Sequence, residues 1–181
     1  MVGIYILTIL LLLVIMAVVF ICLTYAYAGI KAAPWVPVPR KDVSRMLELA
    51  RLKPGETLYD LGSGDGRIVI MAAEKFGARA IGVEVSFLPY LISRWKIWRR
   101  GLKNRVEIRY ADFFKINLSE AAVVTTFLLP RPMEKLSKKF RAELLTGARV
   151  VSYAFQLEDW PSVAVSKPSL DVSAIYLYQI D

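Results

Sequence analysis

The sequence predicts an α/β fold, a mostly parallel sheet covered on both faces and closed by an antiparallel C-terminal pair, with an apolar helix in front of it. Three observations carry this. All 24 Lys+Arg and 16 Asp+Glu lie between Lys31 and Asp181, so the first thirty residues hold no charge. From residue 57 onward, short apolar runs alternate with amphipathic stretches across short joints, the pattern of a parallel sheet with helical crossovers. A glycine-rich turn, Asp60 to Arg67, follows the first of those runs, where such sheets build their ligand crevices.

The N-terminal run from Ile4 to Leu23 is broken only by Tyr5 and Thr8, and about 20 helical residues cover the ~30 Å hydrocarbon core of a bilayer. Tyr5 at one end and Tyr25, Tyr27 and Trp35 at the other are placed like interfacial aromatics. Lys31, Arg40, Lys41 and Arg45 follow the run against Asp42, which by the positive-inside rule puts the rest of the chain in the cytoplasm. Residues 1–30 are therefore expected to be a single-pass transmembrane anchor in the cytoplasmic membrane. A cleavable signal peptide is the competing reading, because Ala26-Tyr27-Ala28 resembles a cleavage site. Against it stand the missing basic n-region and an apolar run longer than the usual ~7–15 residues. Residues 31–39 carry Pro34, Pro37 and Pro39 and read as a stiff, extended connector to a domain spanning 40–181.

Within that domain, Asp42 or Ser44 is expected to cap a helix whose apolar face is Val43, Met46, Leu47 and Ala50, ending at Lys53-Pro54-Gly55. Residues 57–62 predict a buried strand, 66–76 a helix, 79–84 a strand and 88–101 a helix. Strands at 105–111 and 121–129, a helix at 132–144 and a strand at 148–155 follow. SVAVSK and SAIYLYQI close the chain as a hairpin.

The chain has no His and one Cys, Cys22 in the apolar leader. That removes Ser/His/Asp and Cys/His catalysis, His-containing zinc sites and an intramolecular disulfide, so no metal is expected. The chemistry must come from acids, glycines and aromatics. Gly62, Gly64 and Gly66 make a G-x-G-x-G turn, one residue shorter than the dinucleotide fingerprint. Asp60 in front of it would repel a pyrophosphate and suits an ammonium group. Glu84 ends the second strand, where a carboxylate can accept both hydroxyls of a ribose. Asp112 ends the third, where it can accept from an adenine amino group. The glycine loop and three strand-end acids together describe a site for S-adenosylmethionine. A solvated strand end for Glu84 and a turn cap for Asp112 are the plain structural alternatives.

Asp60 to Gly66, Gly82-Val83-Glu84 and Ala111-Asp112-Phe113-Phe114 resemble the motifs of class I S-adenosylmethionine-dependent methyltransferases. VPVPRKDVSRMLELARLKPGETLYDLGSGDGRIVI, SRWKIWRRG and VSYAFQLEDW are similar to a family of small protein-lysine methyltransferases. That family includes archaeal enzymes and membrane-anchored mitochondrial enzymes acting on the ATP synthase c subunit and the adenine nucleotide translocase. The resemblance covers Pro34 to the C-terminus. It implies a Rossmann-like class I methyltransferase sheet and a cofactor site of Asp60, Gly62, Ser63, Gly64, Asp65, Gly66, Glu84, Asp112 and Phe113. It also implies a protein lysine as acceptor, and the short proline-stiffened tether, which would hold the domain near the bilayer, points to a lysine of an integral membrane protein. Two departures bear on the acceptor. Phe127-Leu128-Leu129-Pro130 stands where enzymes methylating nucleic-acid amino groups carry Asn/Asp-Pro-Pro-aromatic. Tyr153 and Ala154 stand where archaeal lysine enzymes tend to carry His and an acid, so no base is carried over.

Tyr153, Phe155 and Trp160 are the candidates for a lysine channel, where a cation over an aromatic face gains about 0.5–2 kcal/mol. Ordinary packing is the alternative for each. Eight Lys/Arg between 89 and 115 and five between 131 and 141 form basic clusters. Leu88, Leu91, Trp95, Trp98 and Leu102 fall at helical spacing, so these tryptophans are expected to pack on the sheet. The basic residues then form a solvated helix face, with contact to anionic lipid headgroups as the second reading and nucleic acid as a remote third. The expected function is S-adenosylmethionine-dependent methylation of a protein lysine. The alternatives are a lipid or small-molecule methyltransferase and a noncatalytic cofactor-binding membrane scaffold.

Overall fold

The structure, a computed structural model, describes residues 1–31, 36–158 and 160–181, and only the backbone of residues 25 and 27–31. Pro34, Trp35 and Asp159, and the side chains of Tyr25, Tyr27, Ala28 and Lys31, lie outside the described residues.

Helix α1 (Val2–Lys31) contains the expected span, and its Val2–Thr24 portion is long and apolar enough to cross a membrane with none of it buried in the protein. Helix α2 (Arg40–Leu49) opens the domain. The strands are β1 (Thr57–Leu61), β2 (Arg79–Glu84), β3 (Val106–Tyr110), β4 (Val123–Thr126), β5 (Arg149–Tyr153), β6 (Ala164–Ser166) and β7 (Ile175–Gln179). Helices α3 (Arg67–Phe76), α4 (Phe87–Arg99) and α5 (Pro130–Glu143) connect them. One sheet forms in the order β3-β2-β1-β4-β5-β7-β6. β1 to β5 run parallel, and β7 pairs antiparallel with both β5 and β6. The closing hairpin is thus folded back so that its second strand, not its first, meets β5.

Alternation along the strands separates two cores. Leu58, Ala80, Val106 and Val123 pack under α2 and α3, whereas Tyr59, Leu61, Ile81 and Val124 pack under α5 through Met133, Leu136 and Phe140. Strand order reverses between β1 and β4, so the loops leaving their C-terminal ends part and open a crevice.

Several expected boundaries move for physical reasons. Asp42 does not cap α2. It is buried, with Oδ1 paired to Arg45 at 2.9 Å and Oδ2 accepting from Tyr153 Oη at 2.9 Å, and the helix starts behind Pro39. β4 stops at Thr126, because Phe127, Leu128 and Leu129 leave the sheet and Pro130 starts α5, a helix position where proline loses no hydrogen bond. Trp95 and Trp98 are not packed on the sheet, being 51% and 59% exposed. The buried stripe of α4 is Pro89, Ser93 and Ile97, small enough to bring the helix close to the glycine loop: a Cβ on Gly66 would come within 3.0 Å of Ser93 Cβ.

Candidate functional site

β1 ends at Asp60-Leu61, and the chain turns through Gly62, Gly64 and Gly66 at φ of +81°, +52° and +78°, the left-handed region that favours glycine. The N–H groups of Gly62 and Ser63 donate to the Val83 carbonyl at 2.9 and 3.0 Å, which ties the turn to β2. Glu84 completes the tie. Its Oε2 accepts from the Gly64 N–H at 2.8 Å and its Oε1 from the Ser86 N–H at 2.6 Å. A carboxylate has about four acceptor positions, so Glu84 holds the loop and keeps positions for a pair of ligand hydroxyls. Gly82 makes room beneath: a Cβ there would meet Ile108 Cδ1 at 2.6 Å and Ser63 Oγ at 2.7 Å.

Asp60, Gly62, Ser63, Gly64, Asp65, Glu84 and Phe113 line one cleft, walled further by Phe127, Leu128 and the segment Val36–Val38. Gly66 stands behind it as the residue before α3. Asp112 is not among the lining residues; its Oδ1 accepts from the Phe114 N–H at 2.9 Å and opens a short 3₁₀ turn (Phe113–Lys115), and that turn carries Phe113 to the cleft.

The acids differ in charge state. Burial pushes the Asp60 carboxyl up to about 7, with Glu84 and Asp65 adding repulsion and the Thr125 hydroxyl, 2.9 Å from Oδ1, partly offsetting them. Asp65 is also penalised by burial, but Arg67 at 2.9 Å and Lys96 at 2.6 Å hold it at about 2. Arg67 reaches further: its Nη1 donates to the Val38 carbonyl at 2.7 Å, fastening Val36–Val38 over the cleft.

The three channel candidates separate. Phe155 stacks with Phe127 at 6.4 Å between centroids, and Tyr153 meets the same ring edge-on at 4.9 Å. Tyr153 is buried, and its hydroxyl is committed to Asp42. Trp160 is half-buried and does not line the cleft; it packs on the core beneath α5, against Tyr178 at 5.5 Å and under the Arg141 guanidinium at 4.9 Å. Phe127 joins the cleft to Tyr153 and Phe155, and it is not among the sequence candidates, although it directly follows β4 at the switch point.

These residues fit S-adenosylmethionine. Ser63 Oγ is a buried side-chain polar atom that has no partner among the described residues, at the loop a ligand would touch. Asp60 and Glu84 offer negative charge to an ammonium and acceptors to hydroxyls, and Phe113 and Leu128 give an apolar wall for a ring.

Comparison with known proteins agrees with this geometry. The ANTKMT methyltransferase domain matches residues 60–164. A protein-lysine N-methyltransferase of Saccharolobus islandicus is 40% identical over 150 residues, 81% of this chain and 93% of that one. An adenine nucleotide translocase lysine N-methyltransferase of Mus musculus is 42% identical over 135 residues; the match takes in 73% of this chain and only 57% of the mouse protein. A solved structure of an RNA methyltransferase from Salinibacter ruber with S-adenosyl-L-homocysteine superposes with a TM-score of 0.77 at 40% identity, covering 80% of this chain and 94% of that one.

Proposed function

The chain belongs to the ANTKMT methyltransferase domain family, and we propose that it transfers the methyl group of S-adenosylmethionine to the side-chain amine of a lysine in a membrane protein. The observation that carries the reading is the switch-point cleft, where strand-end acids and a glycine loop adjoin the Phe127–Phe155 pair. S-adenosylmethionine supplies a methyl carbon on a positively charged sulfonium, which a neutral amine takes as the carbon–sulfur bond breaks.

The chain's own residues bind, orient and exclude water. Glu84 accepts hydroxyls while keeping the loop in place, and Asp60 balances positive charge. Phe127 and Phe155 offer ring faces to a lysine stem and its cation, and they strip water from the amine. Desolvation lowers a lysine's pKa, so the neutral nucleophile forms without a dedicated base, and its surplus proton leaves to solvent. The rest is positioning in a closed site.

In this reading residues 1–30 anchor the enzyme, residues 31–39 connect it and residues 40–181 work at the cytoplasmic face. Support comes from the apolar Val2–Thr24 helix, the basic residues that follow it and the membrane-protein substrate in the mouse relative's name. A short tether raises the effective concentration of lysines on membrane-protein loops. One observation favours RNA as acceptor instead, the activity by which the Salinibacter ruber protein is known. Incubating the full chain with labelled cofactor and separated lipid, RNA and membrane-protein fractions decides between them. Label on lysine of the protein fraction is expected; label confined to RNA or lipid overturns the reading.

A further inference from the structure

The half-exposed face of α4, beside the edge strand β3, is unlike a solvated helix face. Leu91, Trp95 and Trp98, at spacings of four and three, are 42%, 51% and 59% exposed. They line a groove of about 690 Å³ between α4 and the edge strand β3, with Arg94, Lys103 and Arg105 on its rim. Arg99 lies over the Trp95 ring at 5.2 Å and Arg94 over Tyr90 at 5.5 Å, so the cations and rings are interleaved.

This face is continuous with α1. Phe20 of the apolar helix meets Phe87, the first residue of α4, edge-on at 5.5 Å. Phe87 meets Tyr110 at 6.0 Å, and Tyr110 meets Tyr90 at 5.2 Å. Phe20 precedes Thr24, the end of the membrane-length stretch, by four residues, or about 6 Å of helix. If Val2–Thr24 spans a bilayer, the start of α4 therefore stands at headgroup depth, and its tryptophans and arginines continue along the same aromatic chain. Indole rings at the interface and basic side chains at anionic headgroups are the chemistry this depth selects.

We propose that the α4–β3 face, through Leu91, Trp95, Trp98, Arg94 and Lys103, is a second membrane contact that docks on anionic phospholipid and fixes how the domain stands on the bilayer. The proposal rests on the anchored reading given above. Glu84 and Ser86 lie within three residues of Phe87, so docking brings the rim of the cofactor cleft to the membrane surface, where a loop lysine of an integral protein can enter.

The test uses the full chain in vesicles of phosphatidylcholine alone or with about one-third phosphatidylglycerol, a composition chosen to mimic an anionic leaflet. Tryptophan emission is read against lipid carrying a quencher near the headgroup. Quenching should be stronger with phosphatidylglycerol, and its increment should vanish in Trp95→Phe/Trp98→Phe. Arg94→Gln and Lys103→Gln should each lower the docked-to-undocked ratio about fivefold, the worth of one basic side chain at an anionic surface. Both variants should leave activity on a free peptide unchanged.

Failure of this face and failure of the anchor are separable. A chain that stays in vesicles through an alkaline wash but shows equal quenching in the wild type and the double variant refutes the docking face alone. A chain that washes out refutes the anchor and this proposal with it. Quenching of Trp95 and Trp98 by a single-stranded RNA oligonucleotide, with none by lipid, overturns the proposal in favour of a nucleic-acid surface.

Discussion

Asp60→Asn should make the unliganded protein more stable at pH 8 while weakening its cofactor. Asp60 is 3% exposed and faces Glu84 and Asp65, and its carboxyl is raised from 3.8 to about 7. The sign follows from proton counts. Between pH 4 and 7 the folded state holds the Asp60 proton and the unfolded chain does not, so stability falls as pH rises through that window and levels off above the folded value. Three pH units at about 1.4 kcal/mol each give a loss on the order of 4 kcal/mol. Asn keeps an oxygen acceptor for the Thr125 hydroxyl, 2.9 Å from Oδ1 in the wild type, and carries no charge to bury. Urea denaturation of the full chain in detergent micelles at pH 5, 6, 7 and 8 measures the effect. Wild type should lose stability steadily to pH 7 relative to the variant, and the two curves should run parallel above it. Parallel curves across the whole range would refute the assignment of a buried proton to Asp60. Calorimetry should find S-adenosylmethionine weaker in the variant, since the ammonium loses its partner.

Glu84→Ala should weaken the cofactor by about 1.5–3 kcal/mol per lost charge-assisted contact and destabilise the fold as well, because the Gly64 and Ser86 N–H groups lose their acceptor; calorimetry on a folded sample with unchanged affinity would remove the role. Gly82→Ala should cost about 1–3 kcal/mol in denaturant melts and displace Ser63, since the added carbon meets Ser63 Oγ at 2.7 Å. Phe127→Ala should reduce turnover on a lysine peptide, whereas Trp160→Ala should lower stability by about 1–2 kcal/mol with turnover preserved once folded, because the half-buried ring packs on Tyr178 and does not line the cleft; equal loss of turnover in both would put Trp160 back at the channel. Removing residues 1–30 should depress activity on native membranes far more than on a free peptide, and equal depression would mean that α1 only supports folding.

The parts of the site legible in the sequence were those whose chemistry is tied to backbone position. Glycines that need left-handed φ and acids that end strands mark one end of a parallel sheet, so Asp60, Gly62, Gly64 and Glu84 fall where their spacing puts them. Asp112 sits at the same level, but its carboxylate closes the turn that delivers Phe113. A run such as AAVVTTFLL shows that a strand is present and not where its hydrogen bonding starts and stops, so the position of Phe127 just past β4 is not legible in it. Trp160 is seven residues from Tyr153, yet Tyr153 belongs to the core beneath α2 and α3 and Trp160 packs on the one beneath α5. The tryptophans of α4 were misplaced because periodicity gives a helix its pitch and not its phase. Two stripes fit the pitch, and the smaller one, Pro89-Ser93-Ile97, is what allows α4 to sit against Gly66.

The segment Val36–Val38 is at once a wall of the switch-point cleft and the last stretch of chain before the domain, held there by the buried Val38 side chain and by the Arg67 guanidinium on the Val38 carbonyl. Four residues of sequence separate it from Lys31 at the end of α1. Its outer end is therefore leashed within about 17 Å of that helix, five steps at ~3.3 Å per residue. In a chain whose α1 crosses a bilayer, this makes the wall a lever: tilting the helix to suit a thinner or thicker bilayer pulls on the same peptide that Arg67 holds shut. In such a chain ligand exchange would acquire a mechanical input, and the surrounding lipid composition would become one of its rate-setting variables.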